Sequence, residues 1–206
     1  MIVNNYNQSQ NTQDAYNGKH TDSMFDNTLR DEEMEHIDLD EARSIMFYGS
    51  NSYDRLPTLI DISSQMNPEE WFSVLGEIWE VCDNVSYHVP DLCSLTPFLQ
   101  LVRTPLAWRD HMMTTNERVA LADLPDRVTI YRGCYKCNMD GMSWSLDQQV
   151  AAGFPSMNRY RSKGQPLLIK ATIARDRILA FKNGRQEAEI IAWLPTVEAI
   201  NCLRKR

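Results

Sequence analysis

Leu124-Pro125-Asp126-Arg127-Val128-Thr129-Ile130-Tyr131-Arg132-Gly133 divides this chain in two. Proline removes a backbone donor and stops a helix, and Val128-Thr129-Ile130-Tyr131 has the β-branched and aromatic make-up of a strand. Upstream, apolar residues recur at helical spacing. Downstream, they gather in short runs: Leu167 to Ile173, Ile178 to Phe181, Ala188 to Leu194 and Val197 to Leu203 each read as a strand, with Lys182-Asn183-Gly184 as a turn. Helices first and strands afterwards predict an α+β protein, a helical N-terminal lobe followed by antiparallel sheets.

The strongest helix signal covers 67–83. Asn67 is a good N-cap, Pro68 suits the first turn, and Glu69 and Glu70 favour the positive end of the helix dipole. Trp71, Val74, Leu75, Ile78, Trp79 and Cys82 then form one stripe. Further helices are predicted over 91–102, 105–113 and 115–122, the last opened by the capping-box spacing Thr114-Thr115-Asn116-Glu117. Asp147 to Phe154 reads as a short helix among the strands. Met1 to Thr28 is polar, with few large apolar residues, and is predicted to be flexible. Asp31 to Glu41 is acidic, with Met34, Ile37 and Leu39 as a weak apolar set. The expected segments are therefore 1–40 flexible and acidic, 41–125 helical, and 126–206 a β-rich core.

At 206 residues, 43% hydrophobic and 24% charged, the composition fits a globular protein with one proper core. No apolar run is long enough to span a bilayer, and Met1-Ile2-Val3-Asn4-Asn5-Tyr6 lacks the features of a signal peptide, so a cytoplasmic location and no membrane partner are expected. The cysteines Cys82, Cys93, Cys134, Cys137 and Cys202 are expected to be reduced. Cys134-Tyr135-Lys136-Cys137 has the spacing of a zinc or redox pair, but no second pair stands at matching spacing, and no metal is expected. The net charge of −7 is unevenly spread: residues 1–158 hold 10 Lys and Arg against 24 Asp and Glu, and residues 159–206 hold 11 against 4. The acidic part argues against broad nucleic-acid binding. The basic part fits either a compact anion or a solvated face.

Three short pieces carry chemistry: Tyr131-Arg132-Gly133, Ser143-Trp144-Ser145 and Glu187-Ala188-Glu189. The last, followed by Ile190-Ile191-Ala192-Trp193, reads as a strand start, so Glu187 and Glu189 are expected on one face. Like charges there repel, which fits a solvated edge or a site that uses both groups. Singly, a strand-end Arg also fits a surface ion pair, Ser-x-Ser an N-cap, and Trp144 a core position.

In this order the three pieces resemble the Arg–Ser–Glu class of mono-ADP-ribosyltransferases, which includes cholera-toxin-like and arginine-specific enzymes, and in particular its small bacteriophage and bacterial members. The resemblance covers about residues 126–200; Ser143-Trp144-Ser145 departs from the usual Ser-Thr-Ser at its middle residue. It implies a core of two antiparallel sheets and NAD as substrate. Arg132 would anchor the dinucleotide through its donor fork, and Ser143 would hold the catalytic glutamate and the ribose in register. Glu189 would stabilise the ribosyl cation, and Glu187 would orient the acceptor and take its proton. A glutamate at position 187 goes with arginine acceptors in this class. Gly133, Trp144, Ser145 and Phe154 complete the expected NAD contacts. The loop after Phe154 would close over the ligand, with Arg159 and Arg161 on the pyrophosphate and Tyr160 on a ring. The resemblance thus implies ADP-ribose transfer to a macromolecule, chiefly a host protein arginine, with nucleic acid as a lesser acceptor. An NAD glycohydrolase on the same site, and a non-catalytic binding or inhibitor protein on the same fold, are the alternatives.

Overall fold

A computed structural model of the chain describes residues 35–204, all within one compact unit. The expectations for the polar first 28 residues and for Met34 lie outside the described residues. Helices α1 (Leu39–Tyr48), α2 (Arg55–Asp61) and α3 (Pro68–Trp79) come first. They are followed by α4 (Val89–Ser94), α5 (Thr96–Arg103), α6 (Pro105–Trp108) and α7 (Thr115–Ala122). The remaining elements are β1 (Arg127–Cys134), β2 (Ser143–Ser145), α8 (Gln148–Gly153), β3 (Leu167–Ala174), β4 (Ile178–Lys182), β5 (Glu189–Ala192) and β6 (Thr196–Cys202). The protein is α+β.

Helix α3 forms where its apolar stripe predicts, but Asn67 makes no side-chain cap bond and the helix stops at Trp79 rather than continuing to 83. Trp71, Phe72, Val74, Leu75 and Ile78 are all fully buried. Each large side chain so buried contributes about 1.5–3 kcal/mol, which exceeds the ~1 kcal/mol of a missing cap. Trp71 donates its indole N–H to Leu59 O at 2.9 Å, and Phe72 packs on Trp108 with ring centroids 5.6 Å apart. The predicted helix over 91–102 is two helices: Leu95 is extended (ψ 131°), and Pro97 in the first turn of α5 has no N–H to bond back to the preceding turn. The predicted helix over 105–113 ends after one turn and tightens into a 3-10 turn over Arg109–Met112. At α7 the capping box forms: Thr114 Oγ1 accepts from Glu117 N, and Glu117 Oε2 accepts from Thr114 N at 2.8 Å.

Among the described residues all six strands belong to one sheet in the order β4-β5-β2-β1-β3-β6, and every pairing is antiparallel. The expectation of two sheets is thereby replaced by one. Its seam is narrow: β1 pairs with β3 from Arg127↔Ala174 to Cys134↔Leu167, whereas β1 meets β2 at the single register pair Tyr131↔Ser145. Helix α8, capped by Asp147, lies against β1, where a Cβ on Gly133 would come within 1.8 Å of Ala151 O.

The helical part and the sheet share one core, and much of the C-terminal positive charge fastens them together. Arg175 donates to Ala122 O and Leu124 O and pairs with Asp126; Arg177 donates to Val102 O and Arg103 O. Lys182 forms a buried ion pair with Glu117 at 2.9 Å and also donates to Met112 O. These cations serve packing, which removes them from the set available to an anionic ligand.

Candidate active site

A cavity of about 330 Å³ opens at the β1–β2 seam, toward the lower end of the usual range for small-molecule sites. It brings together Arg132, Gly133, Ser143, Trp144, Ser145, Phe154, Tyr160, Arg161, Glu187 and Glu189. The Arg159 side chain lies outside the described residues.

Arg132 reaches across the seam. Its guanidinium donates to Ser143 O on β2 and to Asn138 O at 2.8 Å, while Nε has no hydrogen-bond partner. A Cβ on Gly141 would fall 2.0 Å from Arg132 Nη2, so only glycine leaves room for the guanidinium there. Burial lowers the Arg132 pKa, against the effects of Cys134, Glu189 and Asp140. The residue is thus first a strut between strands. What remains for a ligand is Nε and the second hydrogen on each terminal nitrogen.

Ser143 and Ser145 share one face of β2, and Ser145 stands directly opposite Glu189 on β5. Ser145 Oγ donates to Glu187 O at 2.9 Å and accepts from Asp147 N at 3.0 Å, tying the glutamate segment to the start of α8. Trp144, between the serines, borders the cavity but packs into the hydrophobic core, and its indole N–H has no partner.

Glu189 is 7% exposed. Burial raises its pKa above the ordinary carboxylate value; the Ser143 and Trp79 side chains and the Arg185 charge act against that shift, and Glu80 adds to it. Oε1 accepts from Trp79 Nε1 at 3.1 Å, and Oε2 has no hydrogen bond of good geometry. A buried carboxylate oxygen with no partner is costly unless something else meets it.

Glu187 also faces the cavity, but not through strand alternation. β5 begins at Glu189, and Gln186 (φ 58°) and Ala188 (φ 45°) both take left-handed backbone. Such conformations cost an L-residue roughly 1–2 kcal/mol each. They are held here by Ser145 and by Leu146 N, which donates to Ala188 O at 3.1 Å. The expectation of a shared strand face is therefore corrected: a bend, not the pleat, directs Glu187. Its carboxylate lies 3.6 Å from Arg185 Nε.

Phe154 and Tyr160 pack edge to face at 5.7 Å along another wall, and Arg161 donates to Ser156 O at 3.3 Å. The wall that the sequence did not disclose comes from the end of α3 and beyond: Trp79, Cys82, Asn84, Val85 and Ser86. Trp79 reads in sequence as one more member of an apolar stripe. The available signal was chemical: a buried indole needs an acceptor. Cys134 and Cys137 also border the cavity as free thiols. Among the described residues no group of three or more His, Cys, Asp or Glu could hold a metal ion, and no helix is long and apolar enough to cross a membrane. Comparison with protein-family models, curated proteins and solved structures finds no match.

Proposed function

We propose that this chain is a mono-ADP-ribosyltransferase that moves ADP-ribose from NAD to a protein arginine, as an effector acting on host proteins. The observation that carries this reading is Glu189: a buried carboxylate whose Oε1 accepts from Trp79, whose Oε2 has no hydrogen bond of good geometry, and on which the Ser143 side chain also acts. A site that raises a carboxylate and leaves an acceptor bare is suited to a ligand that supplies both a hydroxyl and positive charge. The nicotinamide ribose does both as its glycosidic bond breaks. The narrow β1–β2 seam supports the same reading, since it divides the sheet into two three-stranded halves, β4-β5-β2 and β1-β3-β6.

The nicotinamide-ribose end would occupy the cavity. Nicotinamide leaves with the electron pair of the C1′–N bond, and the ribosyl carbon becomes cationic. Ionised Glu189 stabilises that charge and accepts from the 2′-hydroxyl; Ser143 keeps it aligned. An arginine nitrogen of the acceptor then attacks C1′, and Glu187 takes its proton. Arg132 keeps β2 against β1 so that Ser143 stays in place. The test is incubation with tagged NAD and lysate, with labelled species identified by mass spectrometry. Absence of both labelling and nicotinamide release would reject the assignment, and nicotinamide release without labelling would favour NAD hydrolysis.

Two variants separate the roles. Glu187→Ala should cut transfer to arginine far more than NAD hydrolysis; equal loss of both would remove its acceptor role. Trp79→Phe keeps the ring but deletes the N–H. A hydrogen bond to a charged group is worth about 1.5–3 kcal/mol, so turnover should fall by about 10–100-fold. The acidic limb of the pH–rate profile should also move upward, because Glu189 loses a bond that favours its charged form. An unchanged limb would reduce Trp79 to packing.

A further inference from the structure

A second cavity, of about 720 Å³, lies on the other side of the segment that closes the first. Arg161 and Ser162 border both cavities, and Tyr135 and Pro155 form the partition between them. Tyr135 is pinned there by its hydroxyl, which donates to Pro155 O at 2.8 Å.

The second cavity has a one-sided charge. Arg161, Lys163 and Arg204 border it, and no carboxylate does. In a chain of net charge −7 that is unusual, and the fate of the other C-terminal cations sharpens it. Arg175, Lys170 and Lys182 are each matched by a carboxylate, and Arg177 caps helix carbonyls. Lys163 and Arg204 have no ion-pair partner among the described residues. Clustered like charges repel unless an anion joins them. Gly153 and Gly164 leave one wall open to close approach, and a Cβ on Gly153 would meet nothing within 4 Å.

We infer that this second cavity is an anion site for a compact oligophosphate, free or carried on a nucleotide, distinct from the pocket that holds Glu189. Three cationic residues border one concave surface that no carboxylate lines, an arrangement suited to an anion with several phosphate oxygens. The inference does not rest on the NAD reading.

The test is calorimetric titration of the full chain with inorganic tripolyphosphate at low salt. Stoichiometric binding is expected. The double variant Lys163→Gln/Arg204→Gln, neither of whose residues borders the first cavity, should weaken it at least tenfold with an unchanged melting temperature. Saturating NAD should leave the tripolyphosphate Kd within threefold. A parallel titration with ATP distinguishes the sources: binding tenfold tighter than tripolyphosphate identifies a nucleotide, and equal affinity a free oligophosphate. The inference is overturned if tripolyphosphate does not bind, if the double variant binds equally well, or if NAD displaces the probe. It is also overturned if Lys205→Gln/Arg206→Gln, at positions outside the described residues, loses as much affinity, because the chain end alone would then attract the anion.

Discussion

Glu189→Gln is expected to lower ADP-ribose transfer from tagged NAD by about a thousandfold, the scale seen when one transition-state electrostatic contact is removed. The amide keeps the size of the side chain and an oxygen for Trp79 Nε1, so the loss reports charge rather than shape. The same variant should melt at a higher temperature than the parent at neutral pH. Burial raises the Glu189 pKa in the folded state, so its contribution to stability is complete below the unfolded value near ~4.3 and is lost as pH rises through the folded value. A neutral amide escapes that loss. The gap in melting temperature should therefore close as pH falls, and the acidic limb of the parent's activity should lie above the ordinary carboxylate range. Transfer that survives in Glu189→Gln would overturn the catalytic assignment; lower stability at neutral pH would overturn the electrostatic account of its burial.

Glu117→Ala should produce the largest loss of stability. Glu117 and Lys182 side chains are 9% and 6% exposed, and Glu117 also accepts from Thr114 N at 2.8 Å and Asn183 N at 3.1 Å. Removing it strands a buried ammonium, which costs about 3–5 kcal/mol. For a chain of this length the melting temperature should fall by roughly 10 °C, measured by calorimetry. Burial alone would raise the Glu117 pKa; the bonds from Thr114, Lys182 and Asn183 outweigh it and hold the value below the ordinary one. A depressed carboxylate contributes fully above its unfolded pKa and loses that contribution as pH falls through the folded one. The parent–variant gap should therefore be flat from neutral pH down to about pH 5 and shrink below it. Glu117→Leu combined with Lys182→Met should recover part of the loss, since no buried charge is left unpaired.

The change from helix to strand at Pro125, the α3 stripe, the α7 capping box and five of the strands were legible, because each is written in local chemistry. The breaks were harder. Leu95 separates two helices through a proline two residues later, and α3 ends at Trp79 although its stripe continues to Cys82. Both depend on what the chain meets in space. The residues proposed for the site from their order along the chain border one cavity, except Arg159, whose side chain lies outside the described residues. The reason given for Glu187 and Glu189 facing together did not hold, because backbone strain at Ala188 cannot be read from an alanine. Nor can Trp79 and Glu189, partners across the fold, be paired from a sequence in which one belongs to a helix stripe and the other to a strand.

That pairing has a consequence for the order in which the proposed site assembles. Trp79 and Glu189 are 110 residues apart, and contacts between distant residues form late because a long loop must first be closed. Synthesis from the N-terminus delivers the indole well before the carboxylate exists. The bond can close only when β5 has taken its place beside β2. During refolding, recovery of activity should therefore lag behind the far-ultraviolet signal of the helices. A fragment beginning at residue 126 would carry Arg132, Ser143 and both glutamates yet lack the Trp79 N–H that meets Glu189 Oε1, so any transfer it supports should be no faster than that of Trp79→Phe.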